Sequence, residues 1–408
     1  MDFLQLLNHL VQTSGFVNMT WQHLVMVVVA CGLLYLAIGK KFEPLLLLPI
    51  SFGVLLANIP NTGLMFDAQA EAQAALAYAM AYGDTTAIAQ ATATLASTPW
   101  YNSGILLVLY RGIQSVLFPS LIFLGIGAMT DFSPMLANPK CMILGVAGQV
   151  GIFAAFGFAA LSGLFTPQQA AVIGMIGSAD GPTTIFLASR LAPEIMGAVA
   201  VAAYSYMALL PFIQPPIMKA LTTQKEREAK MDVLRTVSRT EKLVFPIAVT
   251  ALVLMIAPEV APLVGMFMLG NLFKVSGVVD RLSDTAQNAL INIVTILLGV
   301  TVGATTNGET FLRLETLMIV VLGLAAFAMS TAGGVLLGKV MYYATGGKVN
   351  PLIGSAGVSA LPMAARVSQQ VGQQYNKSNF LLMHAMSGTV ASVICSAIVA
   401  GLFVALFG

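Results

Sequence analysis

Four stretches of the sequence, Leu24 to Ile38, Ile105 to Leu124, Ile143 to Leu164 and Phe380 to Phe407, contain between them a single Lys, Arg, Asp or Glu, namely Arg111. Each approaches or exceeds the ~20 residues a helix needs to cross the hydrocarbon of a bilayer. Nor can the rest of the chain enclose such runs in a water-soluble core. Charged residues make up 9% of the 408, against roughly 25% in an average soluble domain, too few to cover a wetted surface. Hydrophobic residues make up 58% and the mean hydropathy is +0.86. The expectation is an all-α polytopic membrane protein whose solvent is mainly lipid. A net charge of +2 gives no reason to expect nucleic-acid binding.

Charge placement sets the topology, because Lys and Arg accumulate in loops retained in the cytoplasm. Lys219, Lys225, Arg227, Lys230, Arg235, Arg239 and Lys242 crowd one polar stretch and fix it inside. Threaded backward, Met196 to Met218 runs inward, Cys141 to Leu164 outward, and Ile105 to Met129 inward to a loop holding Asp131 and Lys140; Lys40 and Lys41 also fall inside. Threaded forward, Val244 to Ile256 exits, Val264 to Val279 returns to Arg281, Ala286 to Ala304 exits, Leu317 to Tyr343 returns to Lys348, and the helix from Phe380 exits. Asn61 to Pro99 carries Asp67, Glu71 and Asp84 but no Lys or Arg, and its Ala, Gln and Thr content suits an exported helical loop. The start, Met1-Asp2-Phe3, lacks the positive flank of a cleaved signal peptide. Cys31, Cys141 and Cys395 lie far apart in apolar segments and are read as small buried hydrophobes rather than disulfide or zinc ligands.

The threading requires that two Gly- and Pro-interrupted stretches, Ala171 to Arg190 and Asn350 to Val371, do not cross. They share a tetrapeptide, Ile176-Gly177-Ser178-Ala179 and Ile353-Gly354-Ser355-Ala356. Upstream, Leu124-Gly125 before Thr130 is echoed by Leu298-Gly299 before Thr305 and Thr306. The first stretch enters from outside and the second from the cytoplasm, the pairing expected of inverted repeats whose broken or re-entrant helical hairpins meet near the midplane. Non-helical backbone at that depth survives only where it is buried in protein or lines a cavity. The expected organisation is N-terminal helices and an exported loop over 1–100, then a first repeat over 101–218 with its hairpin at 171–190. The basic loop at 219–242 and connecting helices over 243–284 follow, and a second repeat covers 285–408 with its hairpin at 350–371.

Asp180 sits inside the first interruption, and an acid at membrane depth is costly unless paired or hydrated, which makes it a functional candidate. With the hydroxyls of Ser178, Thr183 and Thr184 and free backbone carbonyls, this turn offers the oxygen ligands a hard cation prefers. The competing role is helix capping ahead of Pro182; the internal repeat argues against it, because Gly357 occupies the matching position. Arg366 follows the second interruption and is read either as an ion-pair partner for Asp180 or as a holder of an anionic substrate group, the latter preferred on cytoplasmic entry of that hairpin. Asn350, Gly354 and Ser359 add neutral ligands or close backbone approach, though each alone is commonly a packing residue. Tyr204 and Tyr206 can relay a proton, but two tyrosines in a membrane helix are more often belt or interhelical hydrogen-bond residues. His384 is set aside as a packing histidine.

The blocks Gly177 to Ala188, Ala202-Ala203-Tyr204-Ser205-Tyr206-Met207 and Ile213-Gln214-Pro215-Pro216-Ile217-Met218 resemble the β subunit of the biotin-dependent sodium-pumping decarboxylases. Gly125 to Phe132, Gly357 to Val367 and Ser378 to Ala385 are similar in the same order, so the resemblance runs from Leu121 to the C-terminus. It implies a bacterial or archaeal inner-membrane subunit that decarboxylates carboxybiotin delivered by a biotin-carrying α subunit or a separate carrier protein, and exports Na+ with no metal cofactor of its own. It further implies Asp180 as a sodium ligand, with Ser178, Asn350, Gly354 and Ser359 completing the pathway. Arg366, with Asn350 and Ser359, would hold the carboxybiotin anion. Tyr206 would work with Asp180 in exchanging sodium and the consumed proton. The Ala/Gln-rich stretch from Asp67 to Ser97 departs from the pattern and is assigned to contact with a small γ-type membrane subunit. The resemblance also suggests a homo-oligomer, as in trimeric family assemblies. The competing reading is a sodium-coupled secondary transporter of a small carboxylate, which uses inverted repeats and an Arg in similar ways. A passive membrane anchor is disfavoured by the charges at Asp180 and Arg366.

Overall fold

The computed structural model describes residues 5, 9, 11–41, 43–82 and 85–408, and leaves out the side chains of Ala208 and Thr310. Met1-Asp2-Phe3 and Asp84 lie outside the described residues. Among the described residues every regular element is helical and none is a strand. They include five helical runs long and apolar enough to cross a membrane: Trp21–Gly39, Pro139–Leu161, Asp280–Ala304, Leu314–Ala344 and Leu382–Phe407. The chain is thus an all-α multi-pass membrane protein. It divides into two units, Met1–Ser115 with Ile296–Leu312, and Val116–Thr295 with Arg313–Gly408.

The first unit holds α1 (Trp21–Gly39), α2 (Pro44–Ala57), α3 (Ala68–Tyr82), α4 (Thr85–Ser97) and α5 (Ile105–Gln114). Thr20 starts α1 with a capping box, its hydroxyl accepting from the His23 amide while the His23 ring accepts from the Thr20 amide. At 14 residues α2 is short, and it lies backbone against backbone on residues 299–304; a Cβ at Gly53 would fall 2.2 Å from the Val300 carbonyl oxygen. Asn58 secures that contact by donating to the Thr306 carbonyl and accepting from the Gly308 amide, both at 2.8 Å. The Ala/Gln/Thr stretch is helical as expected, with Asp67 capping α3 from Gln69 and Ala70.

The second unit comprises α6 (Leu117–Met129), α7 (Met142–Ala147), α8 (Val150–Leu161), α9 (Pro167–Met175), α10 (Gly181–Leu191), α11 (Met196–Leu221), α12 (Arg239–Ile256), α13 (Met266–Ser276), the start of α14 (Ile291–Ala304), α15 (Leu314–Ala344), α16 (Met363–Tyr375) and α17 (Leu382–Phe407). Two expected single spans are interrupted, each four residues before a proline. Pro119 cannot donate to the Ser115 carbonyl, and the helix stops there with Val116 left-handed at φ 65°. Pro211 does the same to Met207, where α11 bends by 63°.

Both interrupted stretches are broken helices. In the first, α9 ends at Met175, Ile176–Ser178 tightens to a 3₁₀ turn, Ala179 is left-handed at φ 53°, and α10 starts at Gly181. In the second, a 3₁₀ helix over Pro351–Ala356 leads through irregular backbone of bends and a turn to α16. The shared tetrapeptide therefore lies at a 3₁₀ turn in both. Its glycine serves close packing: a Cβ at Gly354 would meet the Gly334 carbonyl of α15 at 2.1 Å, and one at Gly334 would meet the Gly354 carbonyl at 2.1 Å. The cysteines correct one expectation. Cys141 is buried, but Cys31 is exposed on α1 and Cys395 is half-buried on α17, because an apolar neighbourhood does not mark the interior when the outer surface faces lipid.

Candidate functional site

Pro182 builds the junction of the two breaks. It has no N–H to give the Ser178 carbonyl one turn back, so that carbonyl is free, and it accepts instead from the backbone amide of Ser359 at 2.8 Å. The two non-helical segments thus meet backbone to backbone. Ser178 closes the turn locally, donating its hydroxyl to the Met175 carbonyl at 2.7 Å and accepting from the Asp180 amide at 3.2 Å.

Asp180 is 5% exposed. Its Oδ1 accepts from the Thr183 amide at 3.2 Å, and its Oδ2 accepts from the Thr183 hydroxyl and the Ser396 hydroxyl, both at 2.7 Å. Thr184 donates to the Asp180 carbonyl at 2.7 Å. Asp180 is therefore the N-cap of α10, contrary to the inference drawn from Gly357. The repeat preserves the 3₁₀ turn but not the helix start, since the second break runs on to Pro362 before α16 begins. Capping does not exhaust the side chain: a carboxylate has about four acceptor positions, and three are used. Among the described residues no Lys or Arg lies within ion-pairing distance of Asp180. An ionised carboxylate so buried must be compensated by a cation or a proton from outside the chain.

The sequence did not single out Ser396 and Ser392 of α17 or Gln149 at the α7–α8 junction. The Ser359 hydroxyl lies 3.0 Å from that of Ser392 and 3.2 Å from that of Ser396. Gln149 donates to the Ser392 hydroxyl at 3.0 Å and the Gly145 carbonyl at 2.8 Å. A continuous polar chain thus runs Asp180, Ser396, Ser359, Ser392, Gln149. Glycines let the helices close on it, since a Cβ at Gly148 would sit 1.8 Å from the Gly357 carbonyl oxygen. Hydroxyls and an amide buried in an apolar span were the available signal, but nothing in the sequence paired them with Asp180.

The second break carries neutral partners. Gln214 of α11 donates to the Ser355 carbonyl at 2.8 Å and to Thr331 of α15 at 3.4 Å. Ser355 and Ser368 share a hydrogen bond of 2.8 Å, and Thr389 of α17 donates to the Ala356 carbonyl at 2.8 Å.

Of the residues expected in the site, Asp180, Ser178 and Ser359 come together, and no hydrogen bond joins Asn350, Gly354, Tyr206 or Arg366 to them among the described residues. Asn350 caps the second break from Leu352 and donates both amide hydrogens to the basic loop, to the carbonyls of Arg227 at 2.9 Å and Ala229 at 2.8 Å. Asn379 and Asn376 hold the same strap at Ala229 and Glu228. Buried Glu226 anchors it, accepting from the Thr223 amide and the Tyr343 hydroxyl at 2.8 Å each, with the Lys339 ammonium at 3.4 Å. Burial pushes the Glu226 carboxyl up, but those hydrogen bonds and the Lys339 charge outweigh it and hold the group below the usual carboxylate range. Tyr206 donates to the Val320 carbonyl of α15, whereas the ring of Tyr204 lies across Gly181, where a Cβ would fall 2.3 Å from it. Arg366 is exposed in the first turn of α16, and no carboxylate among the described residues lies within ion-pairing distance of it. The ion pair between Asp180 and Arg366 is therefore not formed.

Comparison with known proteins places this geometry in a family. Residues 22–407 match the family described as Na+-transporting oxaloacetate decarboxylase beta subunit. The chain is 56% identical to the methylmalonyl-CoA decarboxylase subunit beta of Propionigenium modestum, over 97% of this chain and 98% of that one. It is 52% identical to the glutaconyl-CoA decarboxylase subunit beta of Acidaminococcus fermentans, over 100% and 99% of the two chains. It is also 52% identical to the oxaloacetate decarboxylase beta chain of Klebsiella pneumoniae, over 97% of each. With nearly full coverage on both sides and an all-α membrane fold, the chain belongs to the family of beta subunits of the Na+-transporting decarboxylases.

Proposed function

We propose that this chain decarboxylates carboxybiotin brought by a biotin-carrying partner subunit and couples that reaction to sodium export across the cytoplasmic membrane of a bacterial or archaeal cell. The observation that carries the reading is the uncompensated carboxylate of Asp180 at the point where the two broken segments touch. Asp180, Ser178, Ser359 and Ser396 supply the ligands for the transported Na+. The Ser178 and Ser396 hydroxyls now donate to a carbonyl and a carboxylate oxygen, and Ser359 bonds the hydroxyls of Ser392 and Ser396; rotation about the C–O bond turns oxygen lone pairs toward an ion instead. Gly354 sets the backbone approach of the second segment, and Asn350 serves the cargo indirectly, by tying that segment to the basic loop.

Arg366 receives the carboxylate of carboxybiotin. It is exposed, free of acidic partners, and in the first turn of a helix, where the dipole also favours an anion. The C–N bond of carboxybiotin then breaks, its electron pair passes to the ureido nitrogen, carbon dioxide leaves and one proton is taken up. A proton and a sodium ion compete for Asp180, so the consumed proton is what resets the carboxylate. Sodium shifts the equilibrium between the inward- and outward-open states only through its different affinity for each.

The partners follow from this reading: an α-type subunit or separate biotin carrier, a small γ-type membrane subunit and further copies of this chain. Carbon dioxide release from a carboxylated biotin carrier, measured in proteoliposomes with and without Na+ while internal sodium is counted, tests the proposal. Sodium-dependent release with matched sodium movement supports it. Intact carboxybiotin alongside sodium-driven movement of a small carboxylate establishes the transporter reading and makes Arg366 a solute site.

A further inference from the structure

Three buried polar atoms near α17 have no hydrogen-bond partner among the described residues: Nδ1 of His384, Oγ of Ser387 and Oε1 of Gln149, whose amide holds Ser392. His384 is 6% exposed and Ser387 is fully buried. A buried group left unpaired bears its full desolvation penalty, and several in one file are the setting in which ordered water is retained.

The file has two ends. His384, Gly388, Ser392 and Ser396 recur every four residues, with Ser387 one turn from His384, and at 1.5 Å per residue the row spans roughly 18 Å. The His384 end lies near Asp232 of the basic loop, within reach of its backbone and its charge. At the other end Ser396 donates to Asp180.

Packing along the row is uneven. At Gly145, Gly148, Gly151, Gly354 and Gly357 a Cβ would lie within 2.5 Å of another segment's backbone. At Gly388 the nearest atoms to such a Cβ are the Leu144 Cβ at 3.4 Å and the Ala356 carbonyl oxygen at 3.5 Å, ordinary contact distances. The row is therefore packed less tightly at Gly388 than at those five glycines. The donor set distinguishes what moves through it. Hydroxyls and imidazole both donate and accept, as proton relay requires, whereas a hard cation needs several converging oxygens and the row offers about one polar group per turn.

We propose that a hydrated proton path runs along α17 from His384 at the basic-loop face, past Ser387 and the loosely packed Gly388, to Ser392, Ser359, Ser396 and Asp180. Each hydroxyl passes its proton inward and takes one from the water behind it, so atoms and charge are conserved, and the hydroxyls rotate back before the next transfer. The role of the proton rests on the coupling reading given above; the existence of the path does not.

The test uses Ser392→Cys in a chain with Cys31, Cys141 and Cys395 changed to Ser, reconstituted with the basic-loop face accessible. Silver ion, small enough to follow water, is added from that side, and the thiol titre is read after unfolding. The path predicts reaction of Ser392→Cys, slowed at least tenfold when Gly388→Ala adds a methyl group to the row; an inert Ser392→Cys, with Arg366→Cys reacting at its exposed position, overturns it. In the assembled complex Gly388→Ala and His384→Gln are expected to lower decarboxylation about tenfold with the sodium half-saturation unchanged. Unchanged turnover in both variants overturns the proton role. Labelling of Ser392→Cys in a protein with no sodium-dependent decarboxylation supports the path and overturns the coupling reading instead.

Discussion

The two broken segments begin alike and diverge within a few residues. Each carries Ile-Gly-Ser-Ala at a 3₁₀ turn and each is reached by a side chain from a 26-residue helix, Ser396 of α17 on the first and Gln214 of α11 on the second. After the shared tetrapeptide the first has Asp180 and the second has Gly357. At Asp180 there is room for a carboxylate and three donors to hold it. At Gly357 even a Cβ would lie 2.3 Å from the Leu144 carbonyl oxygen, and the Gly357 carbonyl in turn abuts Gly148. One frame thus yields a half with a buried, hydrogen-bonded carboxylate and a neutral half that packs tightly and is strapped to the basic loop. Two identical acidic halves would bury two charges side by side, which is unfavourable unless both are neutralised.

The sharpest way to break the comparison is to remove the charge from the first half. Asp180→Asn keeps the shape and a cap acceptor, and is expected to reduce sodium-dependent decarboxylation by at least 100-fold with the fold intact, checked by turnover at saturating sodium and by detergent-stable size. Next comes Ser396→Ala, which deletes a 2.7 Å hydrogen bond to the carboxylate; a hydrogen bond to a charged group is worth about 1.5–3 kcal/mol, so the half-saturating sodium concentration should rise ten- to 100-fold. Gln214→Ala is the matching change in the neutral half, and its bonds are worth about 1 kcal/mol. It should alter the same measurement only a few-fold, and an effect equal to that of Ser396→Ala would erase the distinction between the halves.

Part of this was legible in the sequence. The apolar runs specify the spans because lipid leaves the backbone no alternative to helix. The repeated tetrapeptide finds both breaks, and the only acid inside either of them finds the first site. Ser396 was not legible, since a serine in an apolar helix does not state which residue 216 positions away it will face. Asn350 was expected beside the ion; its hydrogen bonds to Arg227 and Ala229 depend on how the basic loop folds back, which no local pattern records. The breaks at Ser115 and Met207 follow from Pro119 and Pro211 by a rule readable in the sequence, but the apolar composition around them masks the prolines.

Two smaller effects test the strap. Asn350→Ala should raise protease cleavage or hydrogen exchange over residues 222–231 several-fold while leaving the sodium half-saturation unchanged. The Glu226 clamp depends on pH in a defined sense. Its carboxyl is held below the usual range in the folded protein, so the clamp is fully present above the unfolded value near 4.3 and is lost as pH falls through the lower folded value. Protection factors for hydrogen exchange over the strap, corrected for the intrinsic pH dependence of exchange, should therefore fall on acidification, and Glu226→Gln should flatten that dependence.

The central claim is that the transported ion is held at Asp180, where the breaks touch, and not at the Asn350 end of the second segment. Equilibrium binding of radioactive sodium to the purified chain tests it most directly, comparing the native protein with Asp180→Asn, Ser396→Ala and Asn350→Ala. The account predicts loss of binding in the first, about tenfold or greater weakening in the second, and native affinity in the third. Native affinity in Asp180→Asn, or lost binding in Asn350→Ala with the fold intact, would contradict it.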